Sequence, residues 1–159
     1  MSAMDEQLRT LGIVLPDVMP PVVDGYVPAF TPFVRSGEHI HLSGRLGKED
    51  GKLLCGKVGE EISLEQGKLA ARGVAIELLA VLKAAAGDLD NVRRILKLFV
   101  MVNGAPNFTE PHRVADGASE LLVQVFGERG IHARSSCCVA QLPFGVCVEM
   151  DMIAEVEAT

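Results

Sequence analysis

The feature that most constrains the fold is a long helical segment over residues 64–86. Ser63 is followed three residues later by Gln66, the spacing of a capping box in which each side chain bonds to a backbone N–H of the other residue. The segment is rich in Ala, Leu, Glu and Lys, which are good helix formers. Gly87 suits the position just after a helix end. We therefore predict one long helix over 64–86.

A second helix is predicted to begin at Thr109, with Pro111 in its first turn, where the missing N–H of proline is harmless. Its end is marked by Gly127 and Gly130. One apolar face follows the helical period. The residues of this face are Val114, Ala118, Leu121, Leu122 and Val125.

Five strands are predicted around these helices, over residues 27–35, 38–44, 91–102, 132–142 and 146–156. Ser36-Gly37 is a hairpin signal between the first two, and Pro143-Phe144-Gly145 predicts a second hairpin between the last two. Residues 48–59 are predicted as a loop. Residues 1–21 form an N-terminal arm, with a short helix over 5–11 followed by extended chain at the prolines.

The predicted order is β-β-α-β-α-β-β, an α+β class domain over residues 1–159 with a mixed sheet. Two long helices cover only one face of such a sheet, and right-handed crossovers place both on that face. The strands at 94–102 and 133–142 are predicted to be apolar on both sides, so their second face also needs cover. No element of the chain remains to supply it. We therefore expect another subunit to cover this face.

Composition narrows the classes of function. With 48% apolar residues, disorder is not expected, and no apolar run is long enough for a membrane helix. The net charge of −6 weakens any case for nucleic-acid binding, which usually needs a basic face. Four cysteines without zinc-finger spacing, and an N-terminus without a signal pattern, predict a cytoplasmic protein with free thiols.

Arg134 is the most unusual residue of the predicted strand at 132–142. The run contains apolar residues and two adjacent cysteines, so we interpret it as a strand deep in the sheet. An unpaired guanidinium buried there would cost several kcal/mol or more. The partner is either a structural carboxylate or a small acidic ligand, and the sequence leaves both open.

If the second sheet face lies between subunits, the polar residues that point towards it are the candidates for a site. Ser43, Arg134 and Glu149 are these residues, and each also has a purely structural interpretation. The four histidines lack metal-ligand spacing with Cys or Asp, so no metal site is predicted. The chain has no nucleophile elbow, phosphate-binding loop or dinucleotide fingerprint.

Five short segments together resemble the RidA/YjgF/YER057c/UK114 family, and in particular its YjgF-like branch, often labelled endoribonuclease L-PSP. The resemblance covers about residues 16–156, and the block around Arg134 is its most specific part. The segments are Gly25-Tyr26-Val27, Ser43-Gly44, Ala133-Arg134-Ser135, Val139-Ala140-Gln141-Leu142-Pro143 and Val148-Glu149-Met150-Asp151.

The resemblance implies a chorismate-mutase-like fold and a homotrimer with three clefts between subunits. It implies hydrolysis of enamines and imines, such as 2-aminoacrylate, to 2-keto acids and ammonia, with no metal or organic cofactor. Arg134 would bind the substrate carboxylate, and Glu149 would position the attacking water. Tyr26, Ser43 and the N–H of Gly44 would line the cleft.

Two positions depart from the pattern of the family's deaminases. Ser136 stands where they carry a cysteine two residues after the arginine, and Ser119 falls nearest to their cleft asparagine. Both are kept as candidate substrate-binding residues. A non-catalytic sensor of a small carboxylate or keto acid is the alternative function, because binding would need the arginine but not the glutamate. Ribonuclease activity or inhibition of translation is a third, which the acidic pI disfavours.

Overall fold

The long helix begins and ends where the sequence predicts. The Ser63 Oγ accepts the Gln66 N–H at 3.1 Å, and the Gln66 side chain accepts the Ser63 N–H at 3.0 Å, so both halves of the capping box form. Gly87 follows the last turn with a φ of 80°. The computed structural model describes residues 1–158 of the chain.

Ten helices and strands lie in the described residues, besides short 3-10 turns. The helices are α1 (Ala3–Thr10), α2 (Leu64–Ala86) and α3 (Pro111–Phe126). The strands are β1 (Phe33–Ser36), β2 (His39–Leu46), β3 (Lys48–Glu49), β4 (Lys52–Leu53), β5 (Val92–Asn103), β6 (Ala133–Val139) and β7 (Val148–Val156).

The main sheet has five strands in the order β1-β2-β7-β5-β6. β5 and β6 are parallel and the other neighbours are antiparallel, so the predicted mixed sheet is confirmed. Helices α2 and α3 pack against each other. Helix α2 also packs on β2 and β7, and helix α3 packs on β5 and β6. They approach closely where a Cβ at Gly117 would overlap the carbonyl oxygen of Lys68. The α+β class with two long helices on one face is therefore confirmed.

The predicted hairpin between the last two strands is wrong. Among the described residues, β6 pairs only with β5, at the sheet edge, while β7 lies between β2 and β5. The crossover through α3 returns the chain parallel to β5, which leaves β6 outermost. Residues 143–145 form a 3-10 turn instead of a hairpin turn, with Phe144 at a φ of 57°.

The interpretation of 132–142 as a strand deep in the sheet is also wrong. The strand ends at Val139, and Cys137 and Cys138 are exposed in the single chain. Its two faces are both largely polar. Arg134 and Ser136 lie opposite buried Leu98 and Val100 of β5, on the helix side, and Ser135 lies on the other side. An arginine at an edge strand reaches solvent more easily than one in a central strand.

Several strand boundaries differ from the predicted ones because of prolines and of local irregularities in the backbone. Residues 27–32 are not a strand, since prolines at 28 and 32 lack the N–H that a ladder needs. β2 continues to Leu46 through a break in its register with β7 between Leu42 and Arg45. The predicted loop at 48–59 contains the small hairpin of β3 and β4.

The second sheet face is only half covered in one chain. Lys97, Phe99 and Met101 of β5 and Asp151 and Ile153 of β7 are all partly buried there, because the helices pack on the other side. Lys97 Nζ donates to Ser135 Oγ at 2.8 Å across this face. The face therefore mixes apolar and charged groups, and β6 contributes less apolar surface to it than predicted.

The first residues of the N-terminal arm are bound to the rest of the protein by hydrogen bonds and an ion pair. The backbone N–H groups of Ala3 and Met4 donate to the Asp90 carboxylate at 3.0 and 2.8 Å, and Asp5 pairs with Lys83 of α2. The proline-rich stretch that follows lies over the end of β2. Among the described residues, the helices are too short or too polar to cross a membrane.

Candidate functional site

Arg134 projects from β6 towards α3, where it forms the centre of a polar cluster. Its Nη1 donates to Asp116 Oδ1 at 2.8 Å and to Ser119 Oγ at 3.1 Å. The Arg134 side chain is 23% exposed and that of Asp116 is 41% exposed. A structural carboxylate partner therefore exists, but it neutralises an arginine that remains open to solvent on one side.

A directional chain of hydrogen bonds extends from Arg134 to the backbone. Ser119 Oγ lies 3.0 Å from His132 Nε2, and His132 Nδ1 lies 2.6 Å from the carbonyl oxygen of Gly130. Burial and the nearby Arg134 lower the pKa of His132, although the bond to Gly130 opposes this shift. A neutral ring then donates from Nδ1 to Gly130 and accepts the Ser119 O–H at Nε2, which leaves Ser119 Oγ to accept from Arg134.

These hydrogen bonds involve only the Nη1 group of the Arg134 guanidinium. Within the described part of the chain, Nε and Nη2 form no hydrogen bond. An arginine presents its N–H groups as a planar fork that matches a carboxylate in two parallel bonds. Asp116 and Ser119 therefore fix the orientation of the guanidinium while its remaining donors stay available to an anion.

Glu149 lies on β7, on the sheet face opposite to Arg134. The carboxylate sits beside Gly44, where a Cβ would overlap Glu149 Oε1. The break in register between β2 and β7 falls at this point. A side chain at position 44 would displace the Glu149 carboxylate, so the glycine allows the carboxylate to lie against the backbone of β2.

The carboxyl group of Glu149 holds its proton more tightly than an ordinary glutamate. Burial raises the pKa of Glu149, and Asp151, two residues along the same strand face, raises it further. Burial also raises the pKa of Asp151, although the ammonium group of Lys97 opposes this shift. A carboxyl group with a raised pKa is suited to accept or relay a proton.

Glu149, Gly44 and Tyr26 line one cavity of about 790 Å³. It lies under the proline-rich part of the N-terminal arm, with Tyr26 59% exposed at its wall. Ser43 is next to Gly44 but its hydroxyl donates to the carbonyl oxygen of Thr31 at 2.6 Å. The Ser43 hydroxyl is therefore already hydrogen-bonded to the segment before β1 of its own subunit.

The sequence-predicted residues thus form two groups that do not meet within one chain. Arg134, Ser119 and Ser136 lie on the helix side of β6, at one edge of the sheet. The group at 26, 43, 44 and 149 lies around β2 and β7, and β5 lies between β7 and β6. The prediction that Arg134 points to the second sheet face is wrong, because the strand's alternation directs it to α3.

Two members of the Arg134 cluster, Asp116 and His132, were missed in the sequence. Asp116 and Ser119 are three residues apart on α3, a spacing that places them on one face of a helix. His132 is two residues before Arg134 and so shares its side of the chain. Both spacings were visible, but nothing in the sequence says which helix face lies against β6.

A comparison with known families matches residues 6–156 to the family model described as "YjgF/chorismate mutase-like, putative endoribonuclease". Protein TCP17 of Trypanosoma cruzi is 44% identical to this chain over 150 residues, which are 93% of this chain and 91% of that protein. The match therefore spans almost all of both proteins.

Solved structures share the fold. Atu1372 of Agrobacterium tumefaciens is a protein described as of unknown function. It has a TM-score of 0.84 at 38% identity, and the match covers 97% of this chain and 94% of the Atu1372 chain. A putative endoribonuclease of Shewanella oneidensis has a TM-score of 0.87 at 28% identity, covering 98% and 100%. RidA from the Antarctic bacterium Psychrobacter has a TM-score of 0.57 at 25% identity, covering 90% and 98%. These likenesses confirm the predicted chorismate-mutase-like fold.

Proposed function

Because this chain belongs to the YjgF/RidA family, we propose that it hydrolyses reactive enamines and imines, such as 2-aminoacrylate, to 2-keto acids and ammonia. One observation carries the proposal. The chain holds an oriented guanidinium with free donors and a carboxyl group with a raised pKa beside a cavity. These are the two groups that such a hydrolysis needs, one to bind an α-carboxylate and one to activate water.

The reacting groups come together only if two subunits share a site. Arg134 and Glu149 lie on opposite sides of the sheet and cannot contact the same small molecule in one chain. A head-to-tail arrangement of three subunits would bring the β6 edge of one chain to the cavity of the next and close into a ring. The half-covered second face, with Phe99, Met101 and Ile153, would then be buried at its centre.

The chemistry follows from these positions. Arg134 of one subunit binds the carboxylate of the substrate and holds the adjacent carbon at the Glu149 of its neighbour. Protonation of the enamine carbon gives the iminium ion, and water then adds to the iminium carbon while Glu149 accepts one proton of that water. Glu149 returns this proton to the nitrogen of the carbinolamine. The C–N bond then breaks, the hydroxyl oxygen loses its proton to solvent, and ammonia and the keto acid leave. An imine is already electrophilic, so no cofactor is required.

The two departures from the deaminase pattern fall on the Arg134 side. Ser119 binds Arg134 directly at 3.1 Å, so we assign it to holding the arginine instead of holding the reacting nitrogen. Ser136 lies one pleat further along β6 on the same side. A hydroxyl there could donate to the substrate carboxylate, where a thiol would be a weaker donor.

The proposal is tested by ammonia release from freshly generated 2-aminoacrylate in a coupled assay. The wild-type chain should accelerate release above the spontaneous rate, and the Arg134→Ala chain should not. Equal rates with and without the protein would exclude this substrate class at once, because spontaneous hydrolysis is measured in the same mixture.

A homotrimer is expected in solution, because the catalytic groups need a second chain and the second sheet face is half covered. Static light scattering at micromolar concentration should give about three times the chain mass of 17.0 kDa, since a stable interface persists at that dilution. A mass near that of one chain would remove the cleft on which the reaction depends.

Gly44→Ala is expected to lower turnover by on the order of 100-fold, because the new methyl group takes the place of Glu149 Oε1. The fold should persist, since the end of a glutamate side chain moves more easily than backbone. Gly73→Ala is the matched control. A Cβ at Gly73 in α2 meets no atom within 4 Å, so this variant should keep its turnover and gain roughly 0.5–1 kcal/mol of stability in urea unfolding.

RNA is not expected to be the physiological ligand, although relatives carry the description endoribonuclease. The net charge of −6 opposes binding to a polyanion. We also place the protein in the cytoplasm, where the free thiols Cys55, Cys137, Cys138 and Cys147 would stay reduced.

A further inference from the structure

Arg45 of β2 carries a buried donor that has no partner. Its Nη1 donates to the carbonyl oxygen of Met19 at a long 3.4 Å. Its Nη2 is buried without a hydrogen bond, the one buried side-chain nitrogen or oxygen of the described residues in this state. Burial of a cationic donor without a partner is unfavourable. An anion that enters from outside the chain would remove this cost.

The residue that carries this donor lines the same cavity as Glu149. Arg45 and Glu149 both line the space of about 790 Å³, and the arm covers it with Val18, Met19 and Pro21. Arg45 pairs with buried Met150 of β7, so the Arg45 and Glu149 side chains leave the sheet on opposite sides, although both residues line the cavity. A three- or four-carbon imino acid would fill only a small part of this volume, since a single water takes about 30 Å³.

The other charges around the cavity leave Arg45 as the donor that needs an anion. Lys48 Nζ is already paired with Glu77 at 2.7 Å. Asp17 on the arm and Asp24 just after it are exposed, so solvent and salt screen them. The carboxyl group of Glu149, with its raised pKa, is committed to the reaction under the proposed function.

We infer that this cavity selects substrates with a second, distal carboxylate, which Arg45 binds. The inference rests on the proposed function and deepens it. The α-carboxylate would bind Arg134 of the neighbouring subunit, and the methylene chain would pass Tyr26 and Phe30 on the cavity wall. The distal carboxylate would then accept from Arg45 Nη2, and also from Nη1 in place of its 3.4 Å hydrogen bond to Met19. The substrate class is an imino dicarboxylate, which gives a keto dicarboxylate and ammonia.

Calorimetric titration of the full chain with two keto acids tests this selection. 2-Oxoglutarate, with a distal carboxylate, should bind on the order of 10- to 100-fold more tightly than 2-oxobutanoate, the range for a hydrogen bond to a charged group. Arg45→Gln should reduce this preference to less than about threefold. Arg72→Gln is the matched control, because Arg72 also makes one 3.4 Å hydrogen bond, to Gln124, away from the cavity. It should keep the full preference.

The outcomes separate this inference from the proposed function. If the wild-type chain binds both keto acids equally, and Arg134→Ala abolishes both, the distal site is refuted while the proposed function stands. If Arg45→Gln keeps the preference as Arg72→Gln does, Arg45 is not the anion partner. If neither keto acid binds the wild-type chain, the distal site and the proposed function are refuted together.

Discussion

Replacing Arg134 by alanine is expected to weaken the binding of pyruvate and related 2-keto acids by about 2–5 kcal/mol, roughly 30-fold to several-thousand-fold. The bound carboxylate would lose the two parallel hydrogen bonds that the free side of the guanidinium can donate. Isothermal titration calorimetry of the wild-type and variant chains measures the difference directly.

The fold and assembly of the Arg134→Ala chain should change little. Asp116 would lose its partner, but this carboxylate is 41% exposed and solvent can satisfy it. Arg134→Lys is the control for geometry, since it keeps the charge and loses the planar fork. It should bind pyruvate more weakly than the wild-type chain. If Arg134→Ala instead abolishes assembly, and pyruvate binds neither the wild-type nor the variant chain, the role of Arg134 is structural, through its ion pair with Asp116.

Glu149→Gln is expected to lower turnover by on the order of 10²–10⁴-fold, because the amide cannot accept the proton of the attacking water. Keto-acid binding should persist or rise, since a carboxylate that repels the ligand is removed. Burial and Asp151 raise the pKa of Glu149. The wild-type kcat/KM should therefore increase with pH, with its midpoint above the ordinary range of a glutamate. The Glu149→Gln chain should lack this rise.

Asp151→Asn is the matched control for that pH profile. It removes the negative charge that helps to raise the pKa of Glu149, so the rise in kcat/KM should move to lower pH while turnover remains. A sensor would behave differently. It would show no turnover in the wild-type or Glu149→Gln form, and its affinity for keto acids would stay the same or increase.

The helices and the pairing of β1 with β2 could be predicted because their signals are local. The Ser63–Gln66 capping box and the Ser36-Gly37 turn each act within a few residues. The position of β7 between β2 and β5 could not be predicted, because it depends on contacts between residues more than 40 positions apart along the chain. The strand predicted over 132–142 was interpreted as central from its composition, but β6 lies at the edge of the sheet and both its faces are largely polar.

The candidate site could be predicted in its residues but not in its arrangement. Arg134 stood out as a cation in an apolar run, and Glu149 as a polar residue of an alternating strand. Their separation on opposite sides of the sheet follows from strand order and register. Asp116 and Arg45 gave no sequence signal, because charged residues on a helix or at a strand end usually face water.

Mixed trimers of Arg134→Ala and Glu149→Gln chains test most directly whether the reaction occurs between subunits. The two variants are co-expressed with different affinity tags, and trimers that carry both tags are purified and assayed for ammonia release from 2-aminoacrylate. In a head-to-tail ring, one of the three clefts then pairs an intact Arg134 with an intact Glu149, so about a third of wild-type activity should return. Mixed trimers as inactive as either parent variant would contradict a site shared between two chains.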